Sequence, residues 1–362
     1  MRILQICSAR EIGGGEIHLA DLSNALANRG HEVFAALSPA SPLRNYLSSL
    51  PSKNIIELPM RNALNVATAM KLSRFVREQT IEIVHAHVAR DYLLATLTTD
   101  RSESRLVLTR HVLFPMHRIN RLTLRRTSRV IAVSHAVADS LVAQNVFDAR
   151  KIVTVQNGID VARFAKAKVE PAGNHRPQVG MVGHIAPIKG QEDFVRAAAI
   201  VNQFRDDIEF VIAGEDKSDS LENRRALEKL ICELRMEEKI RLPGWTDDVV
   251  SFLASLDVYV SPARSEPFGL SIVEAMAAGV PVVATASEGA REIIEDNETG
   301  RLVPIGESDA IAATILDLLE HESERLRLAE NARVAAGEHF SLARMVERTE
   351  KVYAEVVAEV AG

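Results

Sequence analysis

Two glutamates, Glu266 and Glu274, lie in the segment RSEPFGLSIVEAMAAGVPVVAT, which otherwise consists mostly of small and apolar residues. Carboxylates accept hydrogen bonds from hydroxyl groups, and the intervening Gly269 would let a ligand approach the backbone closely. A purely structural alternative is a capping box, in which Ser271 caps a helix and Glu274 bonds back to the free amides at its start. The segment alone leaves both interpretations open.

The same glycine precedes a predicted helix that would begin at Leu270 and Ser271 and end at Gly279. Backbone amides at a helix N-terminus favour an anion. Acids beside such a site repel the anion unless they bind something else. A ligand with both a diphosphate and many hydroxyl groups meets both demands, and a sugar nucleotide is such a ligand.

Two other segments have the composition of phosphate-binding turns. In VGMVGHIAPIKGQEDF a strand and a glycine lead into a helix, with Lys189 at its entrance and His184 as a second donor. A charge-assisted hydrogen bond from an ammonium to a phosphate oxygen contributes about 1.5–3 kcal/mol. In AREIGGGEIHLADL, Gly14 and Gly15 would bring backbone amides close to a phosphate.

The elements that must position these residues alternate between short apolar strands and amphipathic helices along almost the whole chain. This alternation predicts an α/β protein with two doubly wound parallel sheets. Ligands bind such sheets beyond the carboxyl ends of the strands, and Glu266 follows the predicted strand DVYVSP. We predict an N-terminal domain over residues 1–160, a linker over 161–177, a C-terminal domain over 178–340 and a final helix over 341–362 that packs back toward the N-terminal domain.

The amino-acid composition favours a globular protein over a membrane-spanning or secreted one. With 47% hydrophobic and 25% charged residues the chain is typical of globular proteins, and no apolar run is long enough to span a bilayer. The two cysteines are far apart in sequence and the N-terminus does not resemble a secretory signal, which predicts a cytoplasmic protein. Residues 1–166 contain 22 basic and 13 acidic side chains, against 21 and 36 in the remainder, so the two domains differ in charge.

A nicotinamide-dependent oxidoreductase is a first alternative, because dinucleotide-binding folds also begin with a strand, glycines and a helix. The glycine spacing here is not G-x-G-x-x-G. The second predicted strand, HEVFAALS, ends at Ser38, where such an enzyme would place an acid to bind a ribose. Both features argue against that class.

The segment EPFGLSIVEAMAAGVPVVAT resembles the Glu-x7-Glu signature of glycosyltransferase family 4, whose members are retaining enzymes with the GT-B fold. The resemblance extends over nearly the whole chain through GGGEIHLADLSNAL, IEIVHAHVAR, VIAVSHAVADSL, VQNGIDVARF, VGHIAPIKG, FVIAGE and LPGWTDDV, which stand in the family's order. It implies two Rossmann-like domains that face each other across a cleft.

The resemblance also implies roles for individual residues. Glu266 would hold hydroxyls of the donor sugar, Glu274 the ribose of the nucleotide and His111 the transferred sugar. Lys189 would neutralise the diphosphate, helped by backbone amides at Gly269, Leu270 and Ser271 and by the N-terminal glycines Gly14 and Gly15. His184 stands where the family often has arginine, which puts the strength of diphosphate binding in doubt.

The predicted function is therefore metal-independent transfer of a hexose-type sugar, with retention, from a UDP- or GDP-sugar to a sugar or lipid-linked hydroxyl acceptor in lipopolysaccharide, glycolipid or exopolysaccharide synthesis. No cofactor, metal site or nucleic-acid partner is predicted. Alternatives are another GT-B activity, such as sugar-nucleotide epimerisation, and a non-catalytic sugar-nucleotide sensor.

One segment points to a membrane partner. Residues 110–129 contain no acid and combine apolar side chains with the six arginines Arg110, Arg118, Arg121, Arg125, Arg126 and Arg129. Basic residues near an anionic leaflet contribute about 1 kcal/mol each, and interleaved apolar side chains can insert at the interface. We expect contact with the inner face of the plasma membrane; a groove for an anionic soluble acceptor and a solvated face are the alternatives.

Overall fold

The structure is a computed structural model that describes residues 1–60, 66–100, 102–117, 119–165 and 176–359. The chain divides into two compact units. The first comprises Met1–Gly158 and Leu342–Gly362, and the second comprises Ile159–Ser341. The C-terminal helix thus belongs to the same unit as the N-terminal residues.

The first unit is built on a parallel sheet with the strand order β3-β2-β1-β4-β5-β6-β7 in the described part of the chain. Its strands are β1 (Arg2–Cys7), β2 (Glu32–Leu37), β3 (Ile55–Glu57), β4 (Ile83–Ala86), β5 (Arg105–Arg110), β6 (Arg129–Ala132) and β7 (Ile152–Thr154). The central strands are buried on both faces, which explains their nearly continuous apolar sequences.

The helices of this unit are α1 (Gly14–Asn28), α2 (Val66–Glu78), α3 (Tyr92–Thr99), α4 (Asn120–Thr123), α5 (His135–Gln144) and, from the end of the chain, α14 (Leu342–Ala358). The apolar face of α14, including Met345 and Tyr353, packs into the same core as Leu19 of α1. The Tyr353 hydroxyl also lies 2.7 Å from Nδ1 of His85, which anchors α14 to β4.

The second unit contains a parallel sheet with the strand order β10-β9-β8-β11-β12-β13 among the described residues. Its strands are β8 (Gln178–Val182), β9 (Glu209–Ala213), β10 (Ile240–Gly244), β11 (Val258–Ser261), β12 (Val282–Thr285) and β13 (Arg301–Val303). Strands β8 and β11 are neighbours at the centre, so the loops that follow them leave the sheet side by side.

The helices of the second unit are α6 (Val161–Ala165), α7 (Gln191–Phe204), α8 (Glu222–Glu233), α9 (Val249–Ala254), α10 (Leu270–Ala277), α11 (Glu288–Ile293), α12 (Ser308–Glu320) and α13 (Glu322–His339). The core of this unit joins the sheet to α7 and α12 through residues such as Phe194, Phe210 and Ile315. It contributes most of the apolar burial that holds the unit together.

These sheets confirm the predicted α/β architecture with two parallel sheets. In the expected linker over 161–177, the first five residues form α6, and residues 166–175 lie outside the described part of the chain. Strand β3, which has three residues, was not among the predicted strands.

Candidate functional site

Lys189 occupies a tight turn between β8 and α7. The turn is a single 3-10 helix, Pro187–Lys189, and Gly190 is then the N-cap of α7, with a φ of 72°. A Cβ atom on Gly190 would lie 2.0 Å from the carbonyl oxygen of Pro262, so the two loops are in direct backbone contact. The amide of Arg264 also donates to the carbonyl of Ile188 at 2.9 Å. The turn of Lys189 therefore rests on the loop that follows β11.

Glu266 lies in that loop and binds Lys189 directly. Lys189 Nζ donates to Glu266 Oε2 at 2.6 Å. The carboxylate side chain is 13% exposed and the lysine side chain 32%, so the pair is partly shielded from water at the edge of the sheet. Two residues that the sequence places far apart form one charged site beyond the carboxyl ends of β8 and β11.

The backbone around Glu266 is held from the opposite side by the start of α11. The amide of Gly289 donates to the carbonyl of Glu266 at 2.8 Å. A Cβ atom on Gly289 would lie 2.1 Å from the carbonyl oxygen of Phe268, so any larger residue must displace the loop. The carboxylate of Glu288 accepts a hydrogen bond from Ser265 Oγ at 3.1 Å. These contacts fix the loop that carries Glu266.

Helix α10 begins immediately after this loop. Its N-cap is Gly269, at a φ of 111°, and no side chain caps it. The capping-box interpretation of Ser271 and Glu274 is therefore wrong: the helix begins before Ser271, whose side chain is already inside the first turn. The Ser271 hydroxyl instead bonds to Tyr259, a buried residue of β11.

The pKa of Tyr259 is affected by the acidic residues near it. Burial raises the pKa of its phenol above the usual value, and the negative charges of Glu274 and Glu266 act in the same direction. The electrostatic influence of both acids thus reaches Tyr259 of β11.

His184 lies at the end of β8 against an aromatic ring. Its imidazole is stacked on Trp245 with a centroid separation of 6.1 Å and an interplanar angle of 22°. Lys217 Nζ lies 5.7 Å from the centre of the same indole, and the indole N–H donates to Asp247 at 2.9 Å. The carbonyl of His184 accepts a hydrogen bond from Gln191 at 2.8 Å. Trp245 is 42% exposed, so its ring also presents a surface to solvent.

In the first unit, the glycine turn and His111 are adjacent. Helix α1 begins at Gly14, and a Cβ atom on Gly15 would lie 3.6 Å from the imidazole of His111. The ring of His111 also packs edge-on against His18 of α1, with centroids 4.8 Å apart. The structure thus brings together Gly15, which follows β1, and His111, which follows β5.

Burial keeps these imidazoles uncharged. Removal from water lowers the pKa of His111 well below the usual histidine value, and the neighbouring His18 adds to the effect. Burial likewise lowers the pKa of His18 to about 4. At neutral pH the rings are therefore neutral and can both donate and accept a hydrogen bond.

Two family models match consecutive parts of this chain. Residues 12–163 match the model described as Glycosyltransferase Family 4, and residues 163–335 match the model described as Glycosyl transferases group 1.

The chain belongs to glycosyltransferase family 4. It is 28% identical over 351 residues to a phosphatidyl-myo-inositol mannosyltransferase of Mycolicibacterium smegmatis, covering 90% of this chain and 86% of the relative. It is 27% identical to the lipopolysaccharide core biosynthesis glycosyltransferase LpsE of Rhizobium meliloti, covering 91% and 92% of the two chains.

The crystal structure of Anabaena HepE in complex with UDP and glucose superposes with a TM-score of 0.86 at 22% identity, over 98% of this chain and 99% of HepE. The fold of this family 4 glycosyltransferase is accordingly GT-B.

The sequence-predicted residues fall into two groups in the family 4 enzyme. In the second unit, Lys189 pairs with Glu266, while Gly269, Leu270, Ser271 and Glu274 form or follow the start of α10. In the first unit, Gly14 and Gly15 open α1, and Gly15 lies beside His111.

Several residues that shape the site were not predicted. Gly190 and Gly289 are two positions where backbones touch, and Asp193 of α7 accepts hydrogen bonds from the guanidinium of Arg264 at 3.2 and 3.3 Å. The sequence signal for the glycines was available, because each stands at the start of a helical segment. The Asp193–Arg264 pair joins residues far apart in sequence and had no local signal.

Several arginines of the segment 110–129 are bound within the first unit. Arg110 is buried and donates to the carbonyl of Phe114, Arg126 pairs with Asp100, and Arg129 pairs with Glu359 of α14. Arg118 lies outside the described residues. Arg121 and Arg125 are exposed, as are the apolar side chains of Phe114 at 63%, Ile119 at 67% and Leu122 at 73%.

No helix in the described ranges combines the length and the apolar character that crossing a bilayer requires. The two cysteines are both free thiols: Cys7 is buried and Cys232 is exposed.

Proposed function

We propose that this protein transfers a hexose-type sugar from a nucleoside diphosphate donor to a hydroxyl group of the acceptor, with retention of the anomeric configuration. The observation that carries the proposal is the Lys189–Glu266 pair, 2.6 Å apart beside the first turn of α10. It combines a cation for a diphosphate with a carboxylate for sugar hydroxyls at the edge where parallel sheets bind ligands.

In this mechanism the protein acts mainly through electrostatics. Lys189, the amides at the start of α10 and His184 stabilise the charge that develops on the departing diphosphate, without a metal ion. Glu266 orients the donor sugar through its hydroxyls, and Glu274 binds the ribose. His111, Gly14 and Gly15 have the roles that the family resemblance implies: contact with the transferred sugar and with the diphosphate.

Two features of this mechanism rest on the family resemblance: retention of the anomeric configuration and the identity of the group that accepts the acceptor's proton. The acceptor hydroxyl attacks from the side of the leaving group, and the departing phosphate accepts its proton. No protein side chain is therefore assigned as general base. Glycosidic bond formation is balanced by cleavage of the bond between the sugar and the diphosphate, which leaves as a nucleoside diphosphate.

The donor is proposed to be a UDP- or GDP-sugar and the acceptor a sugar or lipid-linked hydroxyl. The UDP bound to HepE supports a uridine nucleotide. The names of the mannosyltransferase and of LpsE support an acceptor in a glycolipid or in lipopolysaccharide. Epimerisation of a sugar nucleotide and sensing without catalysis are the competing functions.

A first experiment identifies the donor and separates these functions. Thermal unfolding is followed with UDP-, GDP- and ADP-sugars, because a ligand at 100 times its Kd stabilises the folded state by about 2.7 kcal/mol. The stabilising donor is then incubated with the protein, and its products are followed by proton NMR. Transfer to an acceptor with retained anomeric configuration supports the proposal. Slow hydrolysis whose first sugar product has the same anomeric configuration as the donor supports it too. An epimerised nucleotide or an unchanged donor supports a competing function.

We further propose that the enzyme works in the cytoplasm and contacts the anionic inner face of the plasma membrane. Exposed Phe114, Ile119 and Leu122 could insert at the interface while Arg121 and Arg125 bind lipid phosphates. Flotation with anionic vesicles at low salt is expected for the wild type and lost in Ile119→Ser/Leu122→Ser. A wild type that stays in solution would instead favour a soluble acceptor.

A further inference from the structure

Three histidines of the first unit converge on one point. His18 comes from α1, His87 follows β4 and His111 follows β5, and one ring nitrogen from each lies within 4.8 Å of the other two. The first two side chains are buried and the third is half-buried. Strands β4 and β5 are hydrogen-bonded neighbours in the sheet, which is why residues from these distant segments meet.

Each of the three rings has a nitrogen without a protein partner in the described structure. These atoms are Nδ1 of His18, Nδ1 of His87 and Nε2 of His111, and all three are shielded from solvent. Buried polar atoms are hydrogen-bonded in the great majority of cases. Three adjacent rings that each carry such a nitrogen therefore point to a ligand that binds imidazole nitrogens.

The tautomer of His87 suits a metal ligand. Its Nε2 atom lies 2.8 Å from the amide oxygen of Gln5. An amide oxygen only accepts hydrogen bonds, so Nε2 carries the proton and Nδ1 retains its lone pair. Metal-binding histidines commonly donate their second nitrogen to an oxygen in this way, which orients the ring.

The spacing of the three rings can be compared with that of a three-histidine zinc site. The centroids are 4.8 Å apart for His18 and His111, 5.7 Å for His18 and His87, and 6.0 Å for His87 and His111. Zinc lies about 2.0–2.1 Å from each histidine nitrogen, which places the nitrogens of a tetrahedral site about 3.4 Å apart. One nitrogen of each ring lies within 4.8 Å of the other two, so binding of the ion would draw the three rings closer together.

We propose that His18, His87 and His111 form a binding site for a divalent transition metal ion of the zinc class, with a fourth position open to water. Neutral imidazoles suit Zn²⁺, Cu²⁺ and Ni²⁺, whereas Mg²⁺ and Ca²⁺ require oxygen ligands. The three histidines belong to the first unit, whereas Lys189 and Glu266 belong to the second.

The binding test uses the full chain, freed of metal by chelation, and Zn²⁺ as the probe in calorimetry. The wild type is expected to bind one ion. His18→Asn and His87→Asn are each expected to weaken binding at least tenfold, while His135→Asn, the same change at an exposed histidine of this unit, leaves it unchanged. A wild type that does not bind Zn²⁺, or variants that bind it equally well, would overturn the proposal.

A second measurement does not depend on the folding of any variant. X-ray absorption of the zinc-loaded wild type is expected to show three imidazole ligands at about 2.0–2.1 Å. Mg²⁺ added in excess should not displace the zinc. Fewer than two imidazole ligands, or displacement by Mg²⁺, would show adventitious surface binding and contradict the site.

Occupation of the site has a consequence for catalysis, which rests on the proposed function. An ion bound to Nε2 of His111 prevents that atom from contacting the transferred sugar. Zn²⁺ is therefore expected to inhibit transfer over the concentration range in which calorimetry shows binding, and His18→Asn is expected to shift the inhibition to at least tenfold higher zinc. Binding without inhibition would uphold the site and contradict the role given to His111.

Discussion

Lys189 Nζ donates to Glu266 Oε2 at 2.6 Å, although the two residues follow different strands. Their loops are fixed against each other by the contact of Gly190 with Pro262 and by the hydrogen bond from Arg264 to Ile188. The proposed roles give the ammonium to the diphosphate and the carboxylate to the sugar. A diphosphate that binds Lys189 must therefore compete with Glu266 for the same ammonium group.

This competition predicts that Glu266→Gln binds free nucleoside diphosphate more tightly than the wild type while its rate of transfer falls. The carboxamide neither pairs strongly with Lys189 nor repels the phosphates. Partly exposed ion pairs contribute up to about 1 kcal/mol, so the expected gain in affinity is roughly fivefold. Calorimetry measures the affinity, with the exposed Glu238→Gln as control. Loss of affinity in Glu266→Gln would contradict the competition.

Glu274 is expected to act on the nucleotide instead. Glu274→Ala should weaken binding of the nucleoside diphosphate by about 1–3 kcal/mol, because a ribose hydroxyl loses its acceptor. The ribose is tested with a 2′,3′-dideoxy nucleotide in a double-mutant cycle. If Glu274 binds the ribose, the dideoxy ligand should bind the wild type and the variant with similar affinity. If the losses of affinity from Glu274→Ala and from removal of the ribose hydroxyls were fully additive, Glu274 would not bind the ribose.

Gly289 tests how the backbone positions Glu266. Gly289→Ala should reduce both transfer and thermal stability, because its Cβ would lie 2.1 Å from the Phe268 carbonyl oxygen and the loop must move. We expect a destabilisation of about 1–3 kcal/mol. The control is Gly337→Ala within α13, where a Cβ has no neighbour within 4 Å and alanine favours the helix. Equal effects of the two substitutions on transfer would argue against this positioning.

Metal independence at the diphosphate is tested by activity in excess EDTA. Removal of divalent metal should not lower the rate of transfer, because Lys189 and the amides of α10 supply the positive charge at the diphosphate. The rate should also rise if zinc from the preparation occupies the three-histidine site. Complete loss of transfer, restored by Mg²⁺ or Mn²⁺, would contradict this mechanism.

The architecture was accessible from sequence because parallel strands covered on both faces appear as apolar runs between amphipathic helices. Strand β3 was missed because its three residues are too few to establish a pattern. The grouping of Lys189 with Glu266 followed from both lying after strands, since the carboxyl ends of parallel strands share an edge.

Other features depend on contacts that no local pattern encodes. The pairing of Arg129 with Glu359 requires α14 to pack against the N-terminal part of the first unit. The sequence of the arginine-rich segment alone does not reveal that this arginine is paired. The capping box failed because Gly269, in the left-handed region, begins α10 before Ser271. The cluster of His18, His87 and His111 required the order of the strands, in which β4 lies beside β5.

The proposed function is tested most directly by the rate at which purified protein releases nucleoside diphosphate from the donor that stabilises it. This rate is compared between the wild type and Lys189→Ala. The wild type is expected to cleave the donor slowly, and Lys189→Ala to lower the rate about 100-fold or more, because the charge on the leaving group loses its main counter-charge. Lys239→Ala, which removes a lysine on the opposite side of β9 from β8, should cleave at the wild-type rate. Cleavage by Lys189→Ala as fast as by the wild type would contradict the central claim that the Lys189–Glu266 site is where the sugar nucleotide reacts.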